Sequence, residues 1–293
     1  MVYYRYSMQR GRVRMSGQLI LVGTPIGNLA DFSPRAVEAL QTCDFVAAED
    51  TRVTLKLLNH FDIKKPLVSY FEHNKRERGD IICARLEAGE TAVLVSDAGM
   101  PAISDPGEEL VAMCHERGIP VGVVPGPSAV VTAIAVSGLP SGRFTFEGFL
   151  SMNKRSRREH LDSLRNESRT MVFYEAPHKL PATLDDLCET FGGDRRIALV
   201  RELTKVYEEV QRLTLREAAD KYHAEPPRGE FVLVVAGAQP AAAPVFTPEQ
   251  AAALARDYRA EGLSATAAAK KAAAETGCKK GDIYRLLTEE ETV

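Results

Sequence analysis

Val93-Leu94-Val95-Ser96-Asp97-Ala98-Gly99-Met100-Pro101-Ala102-Ile103-Ser104-Asp105-Pro106-Gly107 decides the fold, because an apolar run breaks abruptly into a loop of small, acidic and ring-locked residues. Val121-Gly122-Val123-Val124-Pro125-Gly126-Pro127-Ser128-Ala129 breaks in the same way. In an open α/β sheet such loops lie at the carboxyl ends of the strands, where ligands settle. Glycine lets a ligand approach the backbone, and proline holds the loop open.

Working outward, residues 18–136 repeat the series short apolar strand, Gly/Pro loop, amphipathic helix, which predicts a mainly parallel sheet covered on both faces. Strands are expected over 19–22, 45–48, 67–69, 92–95 and 121–124. Ser33-Pro34 reads as an N-cap with proline at the first helical position, and Gly118 as the stop of a helix that begins near Gly107. After Ser137-Gly138-Leu139-Pro140 a second series begins, with strands expected over 144–149, 170–174, 197–200, 209–214 and 230–236. Only some are separated by helix-length segments, so this sheet should be mixed, and the crevice between the two sheets is the default pocket.

The expected organisation is an arm over 1–16, an N-terminal α/β domain over 17–139, a C-terminal α/β domain over 140–237, a linker over 238–246 and a helical module over 247–293. The linker rests on Ala238-Gln239-Pro240-Ala241-Ala242-Ala243-Pro244. The module reads as three short helices spaced like a helix-turn-helix. Its cations, Lys270, Lys271, Lys279 and Lys280 among them, are matched by acids such as Glu275, Asp282, Glu289 and Glu290, so a packing or docking role weighs as much as nucleic-acid reading.

At 293 residues the chain exceeds one ordinary core. A net charge of −3 argues against nonspecific coating of nucleic acid but leaves room for local basic patches. Five scattered cysteines without a Cys-x-x-Cys suit a reducing cytoplasm better than a disulfide framework, and no zinc or other metal is expected. No apolar run reaches the ~18 residues of a membrane span. The arm carries Arg5, Arg10, Arg12 and Arg14 without an apolar core, so it is read as disordered and not as a signal peptide, with Met15 the natural alternative start.

Several runs could carry chemistry. Gly23-Thr24-Pro25-Ile26-Gly27-Asn28-Leu29 stands where a dinucleotide fingerprint would, but Pro25 takes the second glycine's place and no Gly-Lys-Ser/Thr follows. An adenosine-bearing ligand fits this loop; a pyrophosphate does not. Glu49-Asp50-Thr51-Arg52 is either a capped helix with a surface ion pair or an acid pair at the ligand edge. Tyr70-Phe71-Glu72-His73-Asn74-Lys75-Arg76 is either an ordinary loop or a surface that stacks on a base and holds phosphate. Lys154-Arg155-Ser156-Arg157-Arg158 is the clearest basic cluster, and RNA contact outweighs the solvated-face reading. Tyr174-Glu175-Ala176-Pro177-His178-Lys179 and Arg201-Glu202-Leu203-Thr204-Lys205 each join a strand end to acids and cations. Ser96 and Ser128 have no partnered histidine, which leaves covalent catalysis without support, and His60, His115 and His223 read as helix or surface residues.

Taken in order, the first loop, Ala48-Glu49-Asp50-Thr51-Arg52, Ser96-Asp97-Ala98-Gly99-Met100-Pro101, Asp105-Pro106-Gly107, Pro125-Gly126-Pro127-Ser128-Ala129, Phe149-Leu150 and Tyr174-Glu175-Ala176-Pro177-His178-Lys179 closely resemble the ribosomal RNA small subunit methyltransferase I family, a branch of the tetrapyrrole-methylase-like superfamily. The likeness runs from about Gly17 through the helical module. It implies a homodimeric, cytoplasmic enzyme that uses S-adenosyl-L-methionine to methylate the ribose 2′-oxygen of a cytidine in the decoding region of 16S rRNA, on the small ribosomal subunit. It also implies two α/β domains with the cofactor between them. Carried over residue by residue, cofactor contacts would come from Pro25, from Asp97, Gly99, Met100 and Ile103, from Ser128 and Ala129, and from Tyr174, Leu203 and Gly229. Glu49, Asp50, His73 and Glu175 are the candidates to accept the hydroxyl proton. Arg52, Asn74, Lys179, Arg201 and Lys205, with Lys154, Arg155, Arg157 and Arg158, would hold RNA. The arm has no counterpart in the family. The alternatives are a tetrapyrrole C-methyltransferase, whose first loop tends toward Gly-x-Gly-Pro-Gly, and a noncatalytic RNA-binding assembly factor.

Overall fold

The computed structural model describes residues 17–239 and 246–289. The expected arm and residues 240–245 of the expected linker lie outside the described residues. The chain divides after Ala238 into two compact units.

Five short strands open the first unit: β1 (Leu19–Val22), β2 (Phe45–Ala48), β3 (Leu67–Ser69), β4 (Ala92–Val95) and β5 (Val121–Val124). All their pairings are parallel, in the order β3-β2-β4-β1-β5. They alternate with the helices α1 (Pro34–Thr42), α2 (Thr51–His60), α3 (Lys75–Glu87), α4 (Gly107–Glu116) and α5 (Ala129–Ser137). β2 and β4 are buried at every residue, as strands covered on both faces must be. Alternation along β2 sends Val46 and Ala48 toward Leu40 and Leu58, and Phe45 and Ala47 toward Ile82, Leu86 and Leu110. Ser33 caps α1 through the Ala36 amide with Pro34 at its first turn, and Gly118 follows α4 at φ +67°.

In sequence the chain steps from β4 to β5, yet in space β1 lies between them. The loops that leave β4, β1 and β5 therefore emerge side by side at the sheet's carboxyl edge, the place where ligands bind in such sheets.

The second sheet is built from β6 (Phe144–Phe149), β7 (Thr170–Glu175), β8 (Arg196–Arg201), β9 (Glu209–Thr214) and β10 (Phe231–Val235), in the order β6-β7-β10-β8-β9. β6 and β7 run parallel and the other pairs antiparallel, so the sheet is mixed as expected. α6 (Lys154–Ser163), α7 (Leu180–Phe191) and α8 (Leu215–Ala224) cover one face through Leu161, Leu184, Leu187 and Tyr222. The other face packs on α5, whose Val130, Ala133 and Ile134 meet Val172, Ala198, Val200, Val232 and Val234. That shared helix ties the second half to the first. It ends at Gly138 in the left-handed region, and the Arg212 guanidinium donates to its last carbonyls at Val136 and Ser137 (2.6 and 2.9 Å).

The second unit holds α9 (Pro248–Ala260), α10 (Ala265–Thr276) and α11 (Lys280–Glu289). Thr247 and Gln250 form a capping box on α9, Ser264 caps α10, and Gly277 ends α10 at φ +73°. Its core is mostly alanine, with Ile283 and Leu287 as its large members. No helix among the described residues is long and apolar enough to cross a membrane.

Candidate active site

The loops after β1, β4 and β5 are held by unusually direct contacts. Thr24 and Gly99 exchange backbone hydrogen bonds (2.9 and 3.2 Å) in an isolated antiparallel bridge, which fastens the first loop to the β4 loop. The backbones of Gly23 and Gly126 touch: a Cβ on Gly23 would stand 2.7 Å from the Gly126 Cα, and the Met100 thioether accepts the Gly126 amide at 3.2 Å. Within the β4 loop, Asp105 Oδ1 accepts the Ala102 and Gly107 amides, both at 2.8 Å, and so folds the segment over itself. The cost appears in the backbone, where Ala102 and Ser104 both sit at φ +65°. Such conformations cluster at functional sites.

Between this edge and the second sheet lies a cavity of about 490 Å³, in the range of small-molecule sites (roughly 300–1,000 Å³). Ile26, Met100, Ala129, Val200, Leu203 and Val232 give it an apolar wall; Glu49, Asp97 and Glu175 give it carboxylates. Glu49 Oε2 accepts the Asp97 amide (3.3 Å), while Asp97 Oδ1 accepts the Asp50 amide (3.0 Å). Burial raises the Glu49 carboxyl above its ordinary range, with Asp97, Asp105 and Asp50 adding to the rise. Asp97 is raised by burial too. The N-terminus of α5 opens on the same space, for Ser128 and Ala129 line it and the Ser128 side chain makes no capping bond. Tyr174 forms the far side, packed edge-on to Phe146 with ring centroids 5.0 Å apart.

A family model for tetrapyrrole (corrin/porphyrin) methylases matches residues 18–219, which takes in the whole first sheet, β6 to β9 of the second and every loop just described. The chain belongs to the tetrapyrrole methylase family. Among its relatives, the ribosomal RNA small subunit methyltransferase I of Synechocystis is 49% identical over 273 residues, covering 93% of this chain and 98% of that one. The protein of the same name from Halalkalibacterium halodurans is 46% identical over 280 residues, covering 94% and 96%. Among solved structures, uroporphyrin-III C-methyl transferase of Thermus thermophilus, complexed with S-adenyl homocysteine, is similar in fold, with a TM-score of 0.53 and 20% identity over 74% of this chain and 97% of that chain.

The methylase cavity gathers Asp97, Gly99, Met100, Ile103, Ser128, Ala129, Tyr174 and Leu203 along its walls, together with Glu49 and Glu175. Pro25 lines a neighbouring hollow instead. Gly229 acts at one remove: at φ +83° it leaves room for the Glu202 side chain, which a Cβ there would meet at 2.5 Å, and the wall residue is Glu230. Ile26, Asp105, Phe149, Val200 and Val232 also line the space. The first three stand in the motifs of the sequence; Val200 and Val232 were hidden inside strands, where alternation alone marks a face.

Two proton-acceptor candidates stand apart from the cavity wall. Asp50 caps α2 and pairs with Arg52, whose hydrogen bonds hold its carboxyl down at about 2. His73 lies in the exposed turn after β3, edge-on to Phe71. Glu175 is buried, with one oxygen accepting the Ala176 amide (2.9 Å) and the other the Thr183 hydroxyl. Behind Thr183 stands Arg157, which donates to that hydroxyl (2.8 Å) and to Asp186.

Arg157 is therefore turned inward, its side chain 13% exposed, while Arg155 and Arg158 point to solvent at 88% and 71%. Lys154 is exposed as well. The Asn74 side chain accepts the Phe71 amide and donates to the Ser69 carbonyl, so it shapes its own turn. Arg201 donates to the Arg228 carbonyl and approaches Glu209, and Lys205 pairs with Glu202 and Glu230. Arg52 stays 87% exposed at the rim, and Lys179 ends the short turn Pro177–Lys179 beside the cavity.

Proposed function

We propose that the protein methylates the ribose 2′-oxygen of a cytidine in the decoding region of 16S rRNA, acting as a cytoplasmic homodimer on the small ribosomal subunit. The observation that carries this reading is the reach of the likeness. A match of 273 residues at 49% identity to a ribosomal RNA small subunit methyltransferase I cannot be contained in the first unit and extends into the helical one.

The cavity suits S-adenosylmethionine. Its apolar wall of Ile26, Met100, Ala129 and Leu203 fits an adenosine, Asp97 and Glu49 suit an ammonium and a sulfonium, and the open start of α5 suits a carboxylate. When bound, that cofactor supplies a methyl carbon on a positively charged sulfur, open to in-line displacement without a metal. The chain supplies orientation: the strapped loops fix one face of the cavity, and alignment of two reactants contributes roughly 7–11 kcal/mol to such reactions. Glu49 is the carboxylate best placed to take the hydroxyl proton, since it lines the cavity and burial makes it more basic than an ordinary glutamate. Lys154, Arg155, Arg158 and Arg52 are the exposed cations left to meet phosphates.

The test is label transfer from methyl-labelled S-adenosylmethionine to small subunits isolated from cells that lack the gene, followed by alkaline hydrolysis. A label retained in one alkali-resistant cytidine step is expected, because a 2′-O-methyl group blocks strand cleavage there. Label on a base, label on a porphyrinogen instead of RNA, or no binding of the donor would overturn the reading.

A further inference from the structure

Beside the donor cavity lies a second one, of about 360 Å³, between the first loop and α2. Pro25, Leu29, Val53, Lys56 and His60 line it, and it shares Ser96 and Asp97 with the first. Leu29 and Val53 are large apolar residues left 44% and 39% exposed there. We propose that this cavity receives the acceptor nucleoside, everted singly from its RNA strand, with the base against Pro25, Leu29 and Val53 and a flanking phosphate at Lys56. The inference rests on the proposed function and adds to it the place where the substrate binds.

Three observations carry it. Reaction requires the attacking oxygen within roughly 3–3.5 Å of the methyl carbon, so the acceptor's cavity must adjoin the donor's. The cavity beside α2 does, through Ser96 and Asp97; a third cavity, around Arg201, Lys221 and Arg228, shares no lining residue with the donor space. Second, the walls suit a nucleotide: the apolar side chains of Pro25, Leu29 and Val53 for a base to pack against, with Lys56 on the wall and exposed Arg52 on the same helix for phosphate. A base inside a duplex cannot enter such a hollow, hence the eversion. Third, the loop that forms one wall is braced before substrate arrives. Asn28 caps the turn Leu29–Asp31, and Gly27 packs so closely on the segment 203–205 that a Cβ would meet the Lys205 side chain at 2.6 Å.

The test uses the full chain with small subunits as substrate and two separate variants, Val53→Trp, which fills the cavity, and Lys56→Glu, which reverses its charge. Each should lower kcat/KM for small subunits by about tenfold or more, the scale of one lost charge-assisted contact or a blocked pocket, while S-adenosylhomocysteine affinity by calorimetry and the thermal midpoint stay at the parent's values. Val53→Ile and Lys56→Arg should restore most of the rate. Parent kinetics in both disruptive variants would overturn the assignment, as would a parallel loss of S-adenosylhomocysteine binding, which would make the hollow part of the donor site. Should the parent itself fail to methylate small subunits, the proposed function falls first and this inference with it.

Discussion

Glu49 and Asp97 are cross-braced: the carboxylate at the end of β2 holds the amide at the end of β4 (3.3 Å), and the Asp97 carboxylate holds the amide beside Glu49 at Asp50 (3.0 Å). Two acids are thus kept close, part-desolvated, in the wall of the cavity. Each is held by a backbone donor, and each is more reluctant to ionise than a free side chain.

Glu49→Gln should keep the amide contact and remove the carboxylate proposed to accept the proton. Turnover is expected to fall by ~10²–10⁴, with donor affinity little changed, and the acidic limb of the parent's rate profile should lie above the ordinary glutamate range. The same change should raise the thermal midpoint at pH 7. A folded-state pKa above the unfolded one gives stability that is present below the unfolded value and lost as pH rises through the folded value, so at neutral pH the cost is in full force. Rate profiles and thermal melts check both halves.

Asp50 works in the opposite sense. Its carboxyl is held at about 2 by the Arg52 hydrogen bonds, so the stability it contributes is present above the unfolded aspartate value and is lost as pH falls toward 2. Asp50→Ala should lower the thermal midpoint at pH 7, and the gap to the parent should narrow below pH 4, while turnover stays within a few-fold. A loss of turnover as deep as that of Glu49→Gln would show that Asp50 takes part in proton transfer.

Gly23→Ala tests the contact between the first loop and the β5 loop. Its Cβ would face Gly126 backbone atoms at 2.7 and 2.9 Å, and backbone cannot swing aside as a side chain can. Overpacking of this kind costs about 1–3 kcal/mol, and the displaced loops should weaken S-adenosylhomocysteine binding by tenfold or more on that scale. Calorimetry on the folded variant reads it.

Arg157 and its neighbours should separate cleanly. Arg157→Ala leaves the Thr183 hydroxyl, itself bonded to the buried Glu175, and the Asp186 carboxylate short of a donor and should lower stability by about 1–3 kcal/mol, with little effect on the salt dependence of RNA binding. Arg155→Ala and Arg158→Ala break only exposed ion pairs with Glu159 and Glu189 and should leave melting unchanged. If they touch phosphate, each should flatten the salt dependence of small-subunit binding by about one counterion.

The sequence makes the first sheet readable because short apolar runs that break into polar or Gly/Pro loops leave few alternatives: the expected bounds of β1 to β5 match those observed. β7 and β8 reach further than their apolar runs, taking in Glu175, Arg196 and Arg201, since a strand continues as long as its backbone is paired, whatever the side chain. Within the basic cluster the pattern held a clue to Arg157. Leu161, four residues later, is the one buried residue of α6, and that spacing puts both on one face. The hollow beside α2 left no motif at all, because it is formed by a loop and a helix whose separation depends on the bridge between Thr24 and Gly99. Cavities of that sort are set by tertiary geometry.

Opposite the strained pair Ala102 and Ser104, the segment after β8 carries its own, Glu202 at φ +50° and Thr204 at φ +66°. Positions of this kind typically cost ~1–3 kcal/mol each, and here they sit on both lips of the cavity. A search for hardier versions of this enzyme would find relief at Ala102, Ser104 and Thr204, glycine being the obvious replacement, whereas the Glu202 side chain holds Lys205 and the Glu230 amide. Each gain there would slacken the segments that border the cavity, so robustness is better sought in the alanine-lined helical bundle and on the outer helices.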